Sequence, residues 1–303
     1  MKNKMADRLF FLVFLSPGII LYLGFYYYPN ISSLIFAFFD WNIADLSKTS
    51  FVGFKFFIRL VEDREIILKC MGNNIYFSFL GMLVSMSIAL VISGLVTSGN
   101  LKKAFDTKIY RSVMYVPNIM PLVANAMIWT FIYSPIYGIT TPLFNELGLK
   151  NLADIPLLGD SATVKPAILI FSLWGSIGFY FIIFLAAMTN VPEHFYEASS
   201  IDGAGKILQF FRITLPLING TIKTMVILGI AHFFSGGFIA IQIMTEGGPN
   251  RASEILTSYM YQQSFGNGIF GYGAAIGTMI FILTLGLYFA FDRLFSRGEV
   301  YEY

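Results

Sequence analysis

The sequence predicts an all-α integral membrane protein with six transmembrane helices. Of its 303 residues, 56% are hydrophobic and only 13% are charged, whereas a typical soluble domain has about 25% charged residues. The mean hydropathy is +0.68, and the apolar residues form long runs without the amphipathic spacing of soluble helices. One aqueous core could not bury this much apolar surface, so the composition argues against a soluble enzyme.

Six apolar stretches are long enough to cross a bilayer, which takes about 20 residues. They predict six spans in a single membrane domain covering 1–303, namely 9–28, 75–97, 113–133, 166–188, 224–245 and 270–291. The first span follows Lys2, Lys4 and Arg8 without a small-residue cleavage site, which predicts an uncleaved signal anchor. The stretch from Leu34 to Trp41 is too short to span, and we predict an interfacial or re-entrant continuation of the first helix.

The distribution of Lys and Arg predicts the orientation, because short cytoplasmic loops carry an excess of basic residues. With both termini in the cytoplasm, the inside segments hold 12 Lys and Arg and the outside segments hold 8. The most basic inside segment contains Lys102, Lys103, Lys108 and Arg111. We therefore predict that both termini and the loop between the fourth and fifth spans are cytoplasmic.

Several other classes of function find no support. A net charge of +2 produces no basic field for nucleic acid. One cysteine, Cys70, and two distant histidines, His194 and His232, predict neither a disulfide nor a metal site. His232 is the only acidic or basic side chain near a span midplane, and we interpret it as a hydrogen-bonded packing residue, with ligand binding as the alternative. G-x-S-x-G and H-E-x-x-H motifs are missing, so no catalytic residue is predicted.

The loop 190–223 is polar but patterned. A proline near its start and a glutamate in the first turn predict a helix, which Gly203 and Gly205 then end. A second short helix is predicted as far as Ile213, and Pro216 is predicted to close the loop. Two short helices joined at glycine could dock in a groove of a partner. The alternative is a surface hairpin that only connects two spans.

The same loop resembles the EAA signature of ABC importer permeases. Glu197-Ala198-Ser199 is followed at the family's spacing by Gly203 and by Leu215-Pro216, with Ser199 where the family usually has Ala. The stretch from Thr245 to Pro249 is similar to the sugar-permease branch, in particular to the subunit type of the larger maltose permease protein. The resemblance implies a type I ABC importer permease fold whose coupling helix inserts into an ATPase. The residues implied to couple to it are Glu197, Ala198, Ser199, Asp202, Gly203, Ala204, Leu215 and Pro216.

The resemblance also implies the partners and the transport mechanism. These partners are a second permease subunit, an ATPase dimer that binds ATP and Mg, and an extracellular substrate-binding protein, assembled in a bacterial cytoplasmic membrane. The stretch from Gly203 to Ile207 is no phosphate-binding loop, since Ile207 replaces the Ser or Thr that holds magnesium and no strand precedes it. The chain itself is therefore expected to bind no cofactor and to hydrolyse no ATP.

The expected substrate is a neutral sugar or oligosaccharide, translocated by alternating access. Two positions in the fourth span, Ser176 and Phe179, and four in the fifth match sugar-contacting positions of the maltose permease. The four in the fifth span share one helix face, and Trp174 adds an aromatic face near the middle of the fourth. The implied substrate-path residues are Trp174, Ser176, Phe179, Ile230, Phe233, Phe234 and Gly237. Ordinary helix packing is the alternative for these residues. The alternatives for the function are a permease for a charged polyol such as glycerol phosphate, and a stand-alone carrier.

Two prolines in the third span, Pro117 and Pro121, remove backbone donors. A proline inside a helix loses one hydrogen bond and clashes with the preceding turn. We therefore predict that this span is kinked or broken, a common device in bundles that open and close.

Overall fold

The computed structural model describes residues 4–41, 45–98 and 107–295. These residues are predominantly α-helical and form two compact units. One unit comprises the described residues up to Arg64 together with Met260–Ile282, and the other comprises Glu65–Tyr259 together with the described residues from Leu283 onward. The basic pair at 102–103, which supports the predicted orientation, lies outside the described residues.

The N-terminal helical run contains Phe10–Phe36, which is long and apolar enough to cross a bilayer. It consists of α1, Lys4–Tyr22, a π turn, Leu23–Tyr27, and α2, Tyr28–Phe36. Pro29 lies in the first turn of α2, and the wider π turn directly before it makes room for the proline ring. The helix therefore runs beyond the predicted end at residue 28, and the segment predicted to be an interfacial continuation begins inside it.

A small hairpin and one helix follow in the first unit. β1, Phe39–Asp40, pairs antiparallel with β2, Ser50–Phe51, and α3 covers Lys55–Glu62. A Cβ on Gly271 would lie 2.1 Å from the carbonyl oxygen of Phe39, and the Tyr272 hydroxyl donates to Asp63 at 2.6 Å. A close backbone contact at a glycine and one partly buried polar contact thus join α17 to the hairpin and to the end of α3.

The second predicted span is part of a longer helix. α4, Arg64–Ile75, a π turn, Tyr76–Leu80, and α5, Gly81–Thr97, form one run of 34 residues. Its first turns contain polar residues, among them Asn73 and Asn74, which are buried. A search for apolar runs excludes such turns, and for this reason the predicted span begins only at residue 75.

The third span is broken, as its prolines predict. α6, Thr107–Ile119, and α7, Leu122–Ile132, meet at an angle of 102°. Pro121 directly precedes α7 in an extended conformation, whereas Pro117 stays inside α6. The side-chain amide of Asn125 donates to the carbonyl oxygen of Pro117 at 2.8 Å, and so satisfies a carbonyl that the break leaves without its helical partner.

The fourth span packs against the second. Two short helices, α8, Thr140–Glu146, and α9, Lys150–Ala153, precede α10, Val164–Thr189. Helix association in lipid depends on close packing and on interhelical hydrogen bonds. The close packing between α5 and α10 is a core that includes Met86, Ala89, Phe181 and Phe184. The interhelical hydrogen bond runs from the Ser93 hydroxyl to the carbonyl oxygen of Phe181 at 3.2 Å.

The remaining helices complete the membrane fold. They are α11, His194–Ile201; α12, Lys206–Gln209; a π turn, Phe210–Thr214; α13, Leu215–Leu217; α14, Asn219–Ala231; α15, Phe238–Met244; α16, Leu256–Tyr261; a π turn, Gln262–Gly266; and α17, Phe270–Phe295. Four helical runs are long and apolar enough to cross a bilayer, and two bent helix pairs bring the number of candidate spans to six. The predicted all-α membrane fold is therefore confirmed.

Candidate substrate path and coupling loop

The predicted fifth span, 224–245, is wrong as one continuous helix. α14 ends at Ala231, and α15 begins only at Phe238. Gly237 directly precedes α15 with a φ of +83°, a left-handed conformation that glycine adopts without a steric penalty. The face predicted for Ile230, Phe233, Phe234 and Gly237 is therefore not a helix face. The bent pair Lys206–Leu217 and Asn219–Ala231, at 65°, meets the length and composition criteria for a span. Its first member lies within the predicted coupling loop 190–223, and of the two only α14 reaches into the predicted fifth span.

Two side chains of the second helical run hold the broken segment 232–237. Asn74 donates to the carbonyl oxygens of Phe233 and Phe234 at 3.5 and 3.4 Å, and the Ser78 hydroxyl donates to that of Phe233. A break inside apolar surroundings is stable only where the freed backbone groups find other partners. Neither Asn74 nor Ser78 is predicted by an apolar run, and their only signal in the sequence is a polar residue at the start of an apolar segment.

The predicted path residues near the break are largely buried in this structure. Ile230, Phe233 and Phe234 are buried, and the two phenylalanine rings meet edge to face at 5.1 Å between centroids. His232 directly follows α14 with an exposed side chain. The described residues therefore give no support to its interpretation as a hydrogen-bonded packing residue.

The path residues on α10 are more open. Trp174 and Phe179 are 38% and 37% exposed, and the Trp174 ring lies 5.5 Å from that of Trp129. Ser176 lies 2.6 Å from Ser85, between hydroxyl oxygens. This pair places a hydrogen-bonded polar group inside the contact between α5 and α10.

A loop after α15, residues 245–254, is anchored to α4. The Lys69 ammonium donates to the carbonyl oxygen of Asn250 at 2.6 Å, and the Asn73 amide donates to that of Glu254 at 2.7 Å. Arg251 and Glu254 form an ion pair at 2.7 Å. Burial alone would lower the pKa of Arg251, but the hydrogen bond and the charge of Glu254 raise it overall. The guanidinium therefore stays charged beside a buried carboxylate.

The predicted coupling loop contains the two expected helices, joined at glycine. α11 ends before Gly203, whose φ is +81°, and a helical stretch follows over Lys206–Leu217. Pro216 lies in α13, two residues before the bend of this stretch, and so stands close to the predicted end of the loop. The turn comes later, at Ile218, where α14 begins with the bend of 65°.

A buried glutamine holds the two helices of this loop together. The Gln209 amide donates to the carbonyl oxygen of Tyr196 at 3.1 Å and lies 2.9 Å from both the Ser199 and the Ser200 hydroxyls. The Tyr196 hydroxyl in turn lies 3.0 Å from that of Thr214. These bonds tie the two helices of the loop together. Gln209 gave no signal in the sequence because its partners lie on the preceding helix.

The outer surface of the loop combines charge and exposed apolar groups. Glu197, Ala198, Asp202, Gly203 and Pro216 are exposed, whereas Ser199, Ala204 and Leu215 are half-buried. Ile201 and Ile207 are 87% and 78% exposed. Among the described residues, no group of three His, Cys, Asp or Glu side chains is placed to hold a metal ion.

The chain is similar to known permeases along most of its length. Residues 89–299 match the family described as binding-protein-dependent transport system inner membrane component. The probable ABC transporter permease protein YurN of Bacillus subtilis is 29% identical over 301 residues, 98% of either chain. The diacetylchitobiose uptake system permease protein NgcF of Streptomyces coelicolor is 31% identical over 304 residues, 97% of this chain and 85% of NgcF. The sn-glycerol-3-phosphate transport system permease protein UgpA of Yersinia enterocolitica is 28% identical over 260 residues, 84% and 83% of the two chains.

Solved structures share the fold. A crystal structure of a bacterial ABC transporter involved in the import of the acidic polysaccharide alginate contains a chain that matches with a TM-score of 0.84 and 22% identity, over 99% of both chains. A crystal structure of a bacterial alginate ABC transporter in complex with an alginate pentasaccharide-bound periplasmic protein contains a chain that matches with a TM-score of 0.82. At this identity the likeness concerns the fold alone. Because the family match covers most of the chain, this protein belongs to the binding-protein-dependent transport system inner membrane components, the permease subunits of ABC transporters.

Proposed function

We propose that this chain is a permease subunit of a binding-protein-dependent ABC importer that translocates a neutral sugar or oligosaccharide. The observation that carries the proposal is the family match together with a relative, NgcF, that serves diacetylchitobiose uptake. ATP hydrolysis belongs to a separate ATPase, and this chain uses no cofactor of its own. The chain is a multi-pass protein of the bacterial cytoplasmic membrane with both termini inside.

The chemistry of the implied path supports a neutral substrate. Trp174 and Phe179 offer aromatic faces, and Ser176 offers a hydroxyl. Aromatic faces and a few hydrogen-bonding groups suit a sugar ring, whereas an anion such as glycerol phosphate needs cationic groups. UgpA serves sn-glycerol-3-phosphate, but the seven implied path residues of this chain include no cation.

The coupling loop is suited to transmit a movement. Its two helices are bonded through Gln209, so a push on α11 moves the loop as a body, and the bend at Ile218 passes the movement to α14. Ile201 and Ile207 are exposed, and burial of one such side chain in a partner's cleft contributes about 1.5–3 kcal/mol. Glu197, Ala198, Ser199, Asp202, Gly203, Ala204, Leu215 and Pro216 are proposed to form or shape the surface that contacts the ATPase.

Three partners complete the proposed importer. A second permease subunit pairs with this chain to form the translocation path, and an ATPase dimer binds the two coupling loops. An extracellular binding protein delivers the sugar to the outer loops 134–165 and 247–268. Closure of the ATPase dimer then switches the bundle between two states, as in other rigid-body transitions.

The test is purification of the chain from its native membrane in mild detergent, identification of the proteins that co-purify, and uptake of sugars by the reconstituted complex. Maltose, cellobiose and N,N′-diacetylchitobiose form the panel, and ATPase activity is assayed on the same sample. A second permease, an ATPase and ATP-dependent uptake of one sugar support the proposal. A lone chain that moves solute without an ATPase would refute it.

A substitution in the coupling loop tests the proposed role of that loop. Glu197→Ala is expected to reduce uptake. The complex is expected to keep its thermal stability, because the Glu197 side chain is exposed and does not pack in the core. The matched control is Glu146→Ala, which removes an exposed glutamate from a short helix in a predicted outer loop. Equal uptake by both variants and the wild type would contradict the role of Glu197.

A further inference from the structure

Two buried polar atoms on α7 have no hydrogen-bond partner among the described residues. They are Oδ1 of Asn125 and Nε1 of Trp129. Asn125 is only 3% exposed, and its amide nitrogen is already occupied by the carbonyl oxygen of Pro117 at 2.8 Å. Buried polar groups in proteins are almost always paired, so each exception points to a missing water, ion or ligand, or to a functional role.

The two atoms form a matched set. Asn125 and Trp129 are four residues apart on one helix, so their side chains are neighbours on the same face, with Cβ atoms about 5–6 Å apart. The free oxygen of Asn125 accepts a hydrogen bond, and the indole N–H of Trp129 only donates one. An acceptor and a donor on one helix face can together complement a hydroxyl group, which donates and accepts at once.

Two aromatic rings of α10 lie beside Trp129. Trp129 packs against Trp174 at 5.5 Å and against Phe171 at 6.1 Å, between ring centroids. Trp174 is an implied path residue and is partly exposed. The same face of α7 belongs to a core shared with Ala240 and Met244 of α15, the helix that follows the break at Gly237. The atoms therefore lie where α7 meets two elements that border the implied path.

We propose that Asn125 and Trp129 bind one hydroxyl of the transported sugar and so determine its specificity. This inference rests on the proposed function, and it adds α7 to the elements that select the substrate. The hydroxyl donates to Asn125 Oδ1 and accepts from Trp129 Nε1, while Trp174 offers an aromatic face to the ring. An analogue that lacks this hydroxyl leaves two buried groups unpaired and is transported poorly.

Entry of the hydroxyl requires a movement of α7. Both polar atoms are closed to solvent in this structure, so a ligand reaches them only when the face of α7 separates from its neighbours. The bend at Pro121 provides the hinge, and the bond from Asn125 to Pro117 keeps the two halves of the span connected. The pair is engaged in the transport state that opens this face, as alternating access requires.

The test compares deoxy analogues in uptake by the reconstituted complex. The probes are maltose, cellobiose and N,N′-diacetylchitobiose, each with its mono-deoxy derivatives. Trp129→Phe removes the N–H and keeps an aromatic ring, and is the principal variant. Asn125→Leu removes the acceptor at similar size, together with the amide that donates to the carbonyl oxygen of Pro117 at 2.8 Å. Tyr133→Phe is the matched control, because it removes a hydroxyl one turn further on the same helix face, where it is already bonded to the carbonyl oxygen of Ala167 at 2.9 Å.

The wild type is expected to discriminate against one mono-deoxy analogue by about 10-fold. Trp129→Phe and Asn125→Leu are expected to lose that discrimination, and Tyr133→Phe to retain it. The inference is overturned, and the proposed function left intact, if the two variants discriminate as the wild type does. The same conclusion follows if all three variants, Tyr133→Phe included, lose uptake equally for the parent sugar and its analogues. An ordered water on both atoms with and without sugar would also overturn it. If the wild-type complex takes up no sugar, the proposed function itself fails.

Discussion

The contact between α6 and α10 passes through Gly178, and Gly178→Ala is expected to force the two helices apart. A Cβ on Gly178 would lie 1.9 Å from the carbonyl oxygen of Met114 and 3.2 Å from the Cα atom of Tyr115. An ordinary contact begins near 3.4 Å, so the first pair of atoms must separate by about 1.5 Å. Both contacted atoms belong to the backbone, and no side-chain rotation can relieve the clash.

The expected cost follows from this geometry. Overpacking a core costs about 1–3 kcal/mol, and a backbone that cannot yield places Gly178→Ala at the upper end. The gain in helix propensity from Gly to Ala returns about 0.5–1 kcal/mol. The net loss of about 2 kcal/mol corresponds to a shift of about 30-fold in the unfolding equilibrium.

Thermal unfolding of the purified complex, followed by circular dichroism, measures this loss. Gly175→Ala is the matched control on the same helix, because a Cβ there meets nothing within 4 Å. Both variants share the gain in helix propensity, so their difference isolates the clash with Met114. If Gly178→Ala unfolds at the same temperature as Gly175→Ala, the close approach of α6 and α10 at this glycine is refuted.

Three further substitutions test other parts of the structure. Gly203→Ala places a Cβ on a residue with a φ of +81°, at a cost of about 1–2 kcal/mol, and is expected to accelerate proteolysis of the coupling loop. The control Gly205→Ala changes a residue with a φ of −73° and is expected to leave the rate of proteolysis unchanged. Equal rates for the two variants would contradict this prediction. Asn74→Leu removes the side-chain oxygen that accepts from the buried backbone N–H of Leu256 at 2.9 Å, at an expected cost of about 1–3 kcal/mol in stability. It is also expected to accelerate hydrogen exchange in the segment 232–237. Unchanged exchange would contradict the role of Asn74. Ser85→Ala is expected to lower the stability by less than about 1 kcal/mol, because Ser176 keeps its bond of 2.8 Å to the carbonyl oxygen of Ser172 in its own helix. A larger loss would show that the bond between Ser85 and Ser176 contributes more than this.

Local patterns in the sequence predicted much of the architecture. Runs of apolar residues located most of the spans, because a membrane helix must be apolar over the thickness of the bilayer. Pro121 predicted the break in the third span, since a missing N–H and a fixed φ act on the adjacent residues. The glycine between the two helices of the coupling loop was predicted in the same way, from Gly203 and its neighbours.

The errors have a common origin. The fifth span was predicted as one helix because 224–245 is apolar, but the helix ends at Ala231. Its break is stabilised by Asn74, which precedes its acceptor Phe233 by 159 residues. The long second helix was predicted too short because its polar first turns are held by partners in the loop 245–254.

The sequence by itself determined that the bilayer is the solvent of this protein, how many apolar segments it has and to which family it belongs. These properties follow from composition and from the spacing of neighbouring residues. Only the tertiary structure decided where helices end, which glycines lie in close contact and which polar atoms, such as Oδ1 of Asn125, have no partner. Those properties depend on groups far apart in the chain, because a buried carbonyl or amide is stable only beside a partner that folding brings to it.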